Sequence, residues 1–202
     1  LIQLFSYIKT TADWKMMGWI GDSPEVLSLH IFCDADFAGC PYTLKSTSGT
    51  HCDVQGPNSR FPWAAQAQQQ TSRANSTPCA EVDSLDKGMR RRGEPGLAIW
   101  QVLLSFYHGH DWKPIINLHE DNSTTCVAAR TGKNPTMTTL ERGHGVMIGW
   151  INERLATGDY NLIHTRTQHM SADIYTKYFS NPETWQRLLM LINVYTPEQL
   201  AA

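Results

Sequence analysis

This chain lacks a large excess of charge of either sign and lacks any C-x-x-C cysteine pair. Its five cysteines (Cys33, Cys40, Cys52, Cys79 and Cys126) are odd in number and include no C-x-x-C pair. That argues against a disulfide framework or a structural zinc site, and fits a reducing compartment. Lys and Arg total 17 against 19 Asp and Glu, a formal net charge of −2. Such a surface is not a general magnet for nucleic acid, although a local basic groove remains compatible with it. No apolar run approaches the ~20 residues of a membrane span, and no secretory leader precedes the first element. We therefore expect no membrane partner and no secretion. The first residue is not methionine and Leu1–Lys9 already has helical spacing, so the chain is expected to be cut from a longer polypeptide.

With 202 residues, 41% of them hydrophobic and 18% charged, the chain is long enough for one domain with a sizeable core and too apolar for wholesale disorder. Apolar residues at Ile2, Phe5 and Ile8 predict a helix over residues 1–10. Residues 14–20 fit a short strand or a packing arm. Val26–Asp34 is apolar on both faces, as a central strand would be. Thr47–Val54 and Phe61–Gln66 follow across the turn former Gly56-Pro57-Asn58, suggesting an antiparallel meander. A helix is expected to start near Pro78, capped by Ser76 or Thr77, and to break at Gly93-Glu94-Pro95-Gly96 before a second helix through Leu97 and Tyr107. Strands are expected at Ile115–Glu120 and Tyr160–His164. Helices are expected at Ser123–Arg130, Thr139–Ala156, from Ser171, and at Pro182–Ile192. The order predicts a mixed α/β (α+β) fold, a sheet covered by helices. Consecutive Arg90, Arg91 and Arg92 read as a solvated face, and His108 and His110 as loop histidines.

Four carboxylates stand out by context: Asp34 in HIFCDADFAG, Glu81 in NSTPCAEVDSL, Asp121 in INLHEDNSTT and Asp173 in TQHMSADIYTK. Taken singly, each has an ordinary alternative. Asp34 can begin a solvated turn, and Glu81 or Asp173 can complement a helix dipole in a first turn. Yet Asp36 lies two residues beyond Asp34, and Glu81 shares a helical stripe with Leu85 and Met89. An acid on a core-facing stripe is unfavourable unless it is paired or metal-bound. Asp83 and Asp86 point elsewhere and read as solvated. Glu120 and Asp121 project to opposite faces of a continuing strand, so only one can aim at a site beside Asp34. Asp121 is favoured because Asn122 can start the next turn. Acids gathered from distant segments suggest a divalent cation.

From Tyr7 to Phe179 the sequence resembles the ribonuclease H domain of copia-type (Pseudoviridae-like) retrotransposon Pol polyproteins. The resemblance is carried by YIKTTAD (7–13), CDADFAG (33–39), KSTSGT (45–50), the stretch from Trp63 to Gln70 before STPCAEVDSL (76–85), EDNSTTCVAA (120–129) and SADIYTK (171–177). The family carries similar blocks in the same order. Pro78-Cys79 departs from its T-E-A pattern, Tyr175 replaces Leu or Phe, and its basic R-x-K-H-I segment is here Arg142-Gly143-His144-Gly145-Val146.

The resemblance implies a ribonuclease H-like five-stranded mixed sheet flanked by helices. Residues 1–25 would connect from the reverse transcriptase side, residues 26–180 would form the domain, and residues 181–202 a C-terminal helix and tail. It implies that Asp34, Glu81, Asp121 and Asp173 bind two Mg²⁺ or Mn²⁺ ions, with Asp36 secondary and His169 assisting product release or proton transfer. Lys45, Ser46, Thr47, Asn75 and Asn122 would lie near the substrate backbone. The implied activity is cleavage of the RNA strand of an RNA–DNA hybrid during reverse transcription. The partner would be the reverse transcriptase domain of the same polyprotein, in the cytoplasm within a virus-like particle or in the nucleus. The rival expectation is a decayed module that binds nucleic acid or scaffolds Pol.

Overall fold

The computed structural model describes residues 1–109, 111–133 and 148–201. Helix α1 (Ile2–Thr10) and strand β1 (Lys15–Met16) lead into β2 (Ser28–Ala35), β3 (Thr47–Gly56) and β4 (Ser59–Gln69). Helix α2 (Thr77–Gly88) runs through a π-helical turn (Met89–Gly93) into α3 (Glu94–His108). Strand β5 (Ile116–Glu120), α4 (Ser123–Thr131), α5 (Ile148–Ala156) and β6 (Tyr160–His164) follow. Two 3₁₀ turns, Thr167–His169 and Ser171–Tyr175, precede α6 (Pro182–Leu191) and β7 (Val194–Tyr195), and a short helix, Pro197–Ala201, ends the chain.

The main sheet has the order β4-β3-β2-β5-β6. β2, β3 and β4 form the expected antiparallel meander, while β5 pairs parallel with β2, and β6 parallel with β5. The central strand β2 is buried on both faces, which is why its sequence does not alternate cleanly. Leu29, Ile31 and Cys33 enter the large core with Leu85, Met89, Leu118 and Ile151, while Phe32 packs against Met170 and Ala172 on the opposite face. Burying Ile31 or Leu118 completely contributes roughly 1.5–3 kcal/mol each, and this packing fixes the end of the β2–β5 pair where the acids emerge.

Several expectations need correction. The expected break at Gly93–Gly96 is a π-helical turn, so the chain passes from α2 to α3 without leaving helix. Pro95 has no N–H for the preceding turn, and a widened turn absorbs the missing bond. Gly93 is needed there because a Cβ would stand 2.3 Å from the Tyr160 hydroxyl. The helix expected from Ser171 is only a 3₁₀ turn. In residues 14–20 only Lys15 and Met16 form a strand. They pair with Tyr195 and Val194, while Trp19 bridges to Arg60. The arginine triplet is not merely solvated: Arg90 pairs with Asp86 at 2.9 Å and lies 3.7 Å from the Trp150 ring centre, and Arg91 donates to Gln68. Asp83 and Asp86 are buried, paired with Lys87 and Arg90 one turn on. An i,i+4 partner reaches back along the helix and brings charge to an acid facing inward. Of the helix expected at 139–156, residues 148–156 form α5 and the rest lies outside the described residues, as do His110 and Arg142–Val146.

Candidate metal centre

Each acid has its own structural support. Asp34 is the penultimate residue of β2, fully buried, and Glu120 is the last residue of β5, also fully buried. Because β2 and β5 run parallel, both carboxylates leave the same edge of the sheet. Asp121 follows at once, half-buried, and Asn122 caps α4 by accepting from Thr125 N at 3.0 Å. Glu81 lies in the second turn of α2, whose start is capped by Ser76 accepting from Cys79 N. Ser84, one turn beyond the acid, donates to the Asp34 carbonyl at 2.7 Å and fastens the helix to β2. Asp173 sits in the 3₁₀ turn Ser171–Tyr175. That turn reaches the sheet over Gly49, which pairs with Asp34 in the ladder. A Cβ on Gly49 would stand 2.9 Å from the Ala172 carbonyl oxygen.

Asp34, Asp121 and Asp173 bring oxygens within 4.8 Å of one another, and Glu81, Glu120 and Asp121 do the same. The four acids named from the sequence thus converge, with Asp121 common to both sets. Glu120 is the acid that sequence reasoning missed. Alternation along a strand had assigned it to the opposite face, but β5 ends at Glu120, so Asp121 is not bound by the alternation and both side chains reach the site. Lys177 is the second omission: its Nζ lies 2.9 Å from Asp34 Oδ1 and 2.6 Å from Asp173 Oδ1. Thr176 donates to the other Asp34 oxygen, and Thr167 donates to Asp121 Oδ2 at 2.7 Å. Both Thr176 and Lys177 stand in the SADIYTK block, which was the available signal.

The electrostatics follow from crowding in a dry place. Burial, then the neighbouring Glu120 and Asp34, push the Glu81 carboxyl up to about 11. Glu120 is raised well above the usual carboxylate range, chiefly by burial. Asp173 is raised to about 7, first by burial and then by Asp34. Burial works against the Lys177 charge, but Asp34 and Asp173 outweigh it and its pKa is raised. Glu81 Oε2 and Glu120 Oε2 are both buried without a hydrogen-bond partner. Unpartnered buried carboxylate oxygens are unfavourable in a folded protein, and an all-oxygen donor set suits a hard divalent cation. The residues present fit such an ion.

The other sequence-nominated residues are placed as follows. Asp36 lines a cavity of about 500 Å³ together with Glu81, Asp121, Asn122, Thr167 and Lys177, and accepts from Thr47 N. Ser46 is fully buried and accepts from Ala38 N at 3.1 Å, so its hydroxyl braces the loop before β3. Lys45 and Thr47 are half-buried beside it. Asn75 is exposed just before the α2 cap, and the Asn122 backbone N–H donates to Glu120 Oε1 at 3.0 Å. His169 is exposed at the end of the turn that carries Thr167. A separate cavity of about 400 Å³, lined by apolar residues including Leu27, Phe61, Trp63 and Leu103, shares no residue with this site.

The mixed five-stranded sheet flanked by helices is the fold that the sequence led us to expect, and the acids gather where β2 and β5 end. No family model matches the chain, and no curated protein matches it. Among solved structures, it is similar to LC11-RNase H1, isolated from compost. That likeness is at 13% identity and TM-score 0.42, covering 74% of this chain and 92% of that one. It is also similar to the N-terminal RNase H domain of Rv2228c from Mycobacterium tuberculosis, at 12% identity and TM-score 0.44, covering 81% and 97%. The LC11 enzyme in complex with an RNA/DNA hybrid matches at 9% identity and TM-score 0.41, covering 74% and 94%. Among the described residues, no helix is long and apolar enough to cross a membrane.

Proposed function

We propose that this chain is a metal-dependent endoribonuclease that cleaves the RNA strand of RNA–DNA hybrids, as a ribonuclease H module of a copia-type retrotransposon Pol polyprotein. The observation that carries this reading is the meeting of Asp34, Glu81, Asp121 and Asp173 from four separate segments in two overlapping oxygen clusters. Two Mg²⁺ or Mn²⁺ ions held by these acids would supply an activated water and stabilise the leaving oxygen of an in-line phosphodiester attack.

The chain's own residues do the positioning. Ser84 locks α2 onto β2 and so sets Glu81 against Asp34. Asn122 orients Glu120 through its backbone N–H, and Thr167 orients Asp121 through its hydroxyl. In the metal-free chain Glu81 holds its proton at neutral pH, because its pKa is pushed up to about 11. Lys45, Thr47, Asn75 and Asn122 are our candidates for contacts to phosphates and 2′-hydroxyls, which read the hybrid's shape with little base readout. His169, exposed next to the turn that holds Asp121, is our candidate for product release or proton transfer. The reverse transcriptase domain of the same polyprotein is the proposed partner, in the cytoplasm or the nucleus.

One observation favours a second reading, a decayed module that binds nucleic acid or scaffolds Pol. Lys177 already bridges Asp34 and Asp173 with its own ammonium group. Incubation with a labelled RNA–DNA hybrid and Mg²⁺ or Mn²⁺, alongside Asp121→Asn, separates the two. Metal-dependent cutting of the RNA strand alone, lost in the variant, supports the enzyme. A folded protein that binds the hybrid and leaves it intact supports the second reading.

A further inference from the structure

The two oxygen clusters differ in what already satisfies them. In the cluster of Asp34, Asp121 and Asp173, a cation is present in the form of the Lys177 ammonium, 2.9 Å from Asp34 Oδ1 and 2.6 Å from Asp173 Oδ1. The second Asp34 oxygen accepts from the Thr176 hydroxyl, so both its oxygens are engaged. In the cluster of Glu81, Glu120 and Asp121 no cationic side chain among the described residues is bound to either glutamate. Glu120 is fully buried and Glu81 is 3% exposed, yet Oε2 of each has no hydrogen-bond partner. The remaining Glu120 oxygen is fixed by Asn122 N at 3.0 Å, which holds Oε2 in one orientation. Two desolvated and unpartnered oxygens, the one on Glu120 held in place through its partner oxygen, lie beside a third carboxylate, a donor set that suits a hard cation. A carboxylate pair already neutralised by lysine is a site only after the lysine has left.

We infer that the centre has two unequal cation sites: a tight one in which Glu120 is a direct ligand with Glu81 and Asp121, and a weaker one at Asp34 and Asp173 that a second divalent ion enters by displacing Lys177. This rests on the reading of the acids as a cation centre given above. Glu120 is a fifth acid beyond the four that the motif resemblance supplied. Lys177 acts as an internal competitor, keeping Asp34 and Asp173 together when the second ion is absent and raising the concentration at which that ion binds. Because charge repulsion between two close divalent ions already disfavours the second, the lysine sharpens an order of filling that Coulomb's law begins.

The test is Mn²⁺ binding to the purified chain, followed by electron paramagnetic resonance and calorimetry, with no nucleic acid present. We expect two binding steps in the wild type. Glu120→Gln is close in shape and loses the charge. It should weaken the first step by about tenfold or more, at least what losing an outer partner of a metal ligand produces. Lys177→Met should leave the first step and strengthen the second, while lowering the metal-free thermal midpoint. A wild-type measurement guards against a variant that does not fold. At one equivalent of Mn²⁺, the carboxyl carbon resonance of Glu120 should broaden before that of Asp173.

Unchanged first-step affinity in Glu120→Gln, or broadening of Asp173 first, would overturn the assignment of Glu120. A second step that weakens in Lys177→Met would overturn the competitor role, making the lysine a support for the ion. A wild type that binds no Mn²⁺ at all would instead remove the cation reading itself, and this inference with it.

Discussion

Two polar networks sit on the same pair of parallel strands and resolve burial in opposite ways. His30, near the start of β2, and His119, the residue before Glu120 in β5, form a closed chain. Ser28 Oγ meets His30 Nε2 at 2.9 Å, His30 Nδ1 meets His119 Nε2 at 2.8 Å, and His119 Nδ1 meets Thr165 Oγ1 at 2.7 Å. All four ring nitrogens have partners, and the His119 ring stacks on Phe32 with centres 4.1 Å apart. Where the two strands end, the acids leave buried oxygens without partners. The histidine network is complete in the folded chain and needs nothing further. The carboxylate cluster keeps open oxygens, which on the proposed reading a cation would join. Unsatisfied polarity, rather than burial of polar groups as such, is what separates a candidate site from a structural feature.

The largest expected effect tests that difference directly. Saturating Mg²⁺, at about a thousandfold excess over its Kd, should stabilise the wild type by about 4 kcal/mol. In a domain of this size that raises the thermal midpoint by roughly 10 °C, and scanning calorimetry with and without chelator would show it. A midpoint indifferent to Mg²⁺ would put the two networks on the same footing.

The pH dependence should separate them as well. His30 is lowered to about 4 and His119 to about 3, first by burial, so the unfolded chain takes up protons that the native chain refuses. Their contribution is fully present above the ordinary value near 6.5 and is lost as pH falls toward 4. Glu81, raised to about 11, and Asp173, raised to about 7, do the reverse. Their native state keeps protons that the unfolded chain has released, so metal-free stability falls as pH rises from the usual carboxylate range through those values. Urea midpoints across pH should show Mg²⁺ removing the alkaline loss and leaving the acid loss untouched.

Smaller effects come from single side chains. His119→Ala should destabilise by about 3 kcal/mol, since it opens a cavity beside Phe32, leaves His30 Nδ1 without its partner and removes the His119 bond to Thr165. The loss should be the same with and without Mg²⁺. Lys177→Met should cost about 2 kcal/mol in the metal-free state, less than a fully buried pair because the lysine is partly exposed. Mg²⁺ should recover most of that, and paired denaturation curves would reveal it. Thr165→Val, at the end of the histidine chain, should cost about 1 kcal/mol with no response to metal. A Mg²⁺-sensitive Thr165 variant would break the separation between the networks.

The antiparallel meander was legible from its turn former and short connections, and the meeting of Asp34, Glu81, Asp121 and Asp173 from the motif block that each acid lies in. Glu120 was not legible, because alternation holds only while a strand lasts and β5 ends on that residue. The pairing of Asp83 and Asp86 with Lys87 and Arg90 was misread as solvation, since helical spacing gives direction around an axis but not what lies opposite. The π-helical turn escaped because Gly and Pro in sequence mark a strained position without saying whether the chain breaks or widens there.

Local patterning by itself determined most of the strands and helices, since apolar periodicity and capping act over a few residues. It also placed Asp34 and Asp121 where strands end. Tertiary structure alone decided that Lys177 closes the pair Asp34 and Asp173 while Glu81 and Glu120 keep open oxygens. Satisfaction of a buried charge depends on atoms brought within about 3 Å from parts of the chain that no local pattern connects.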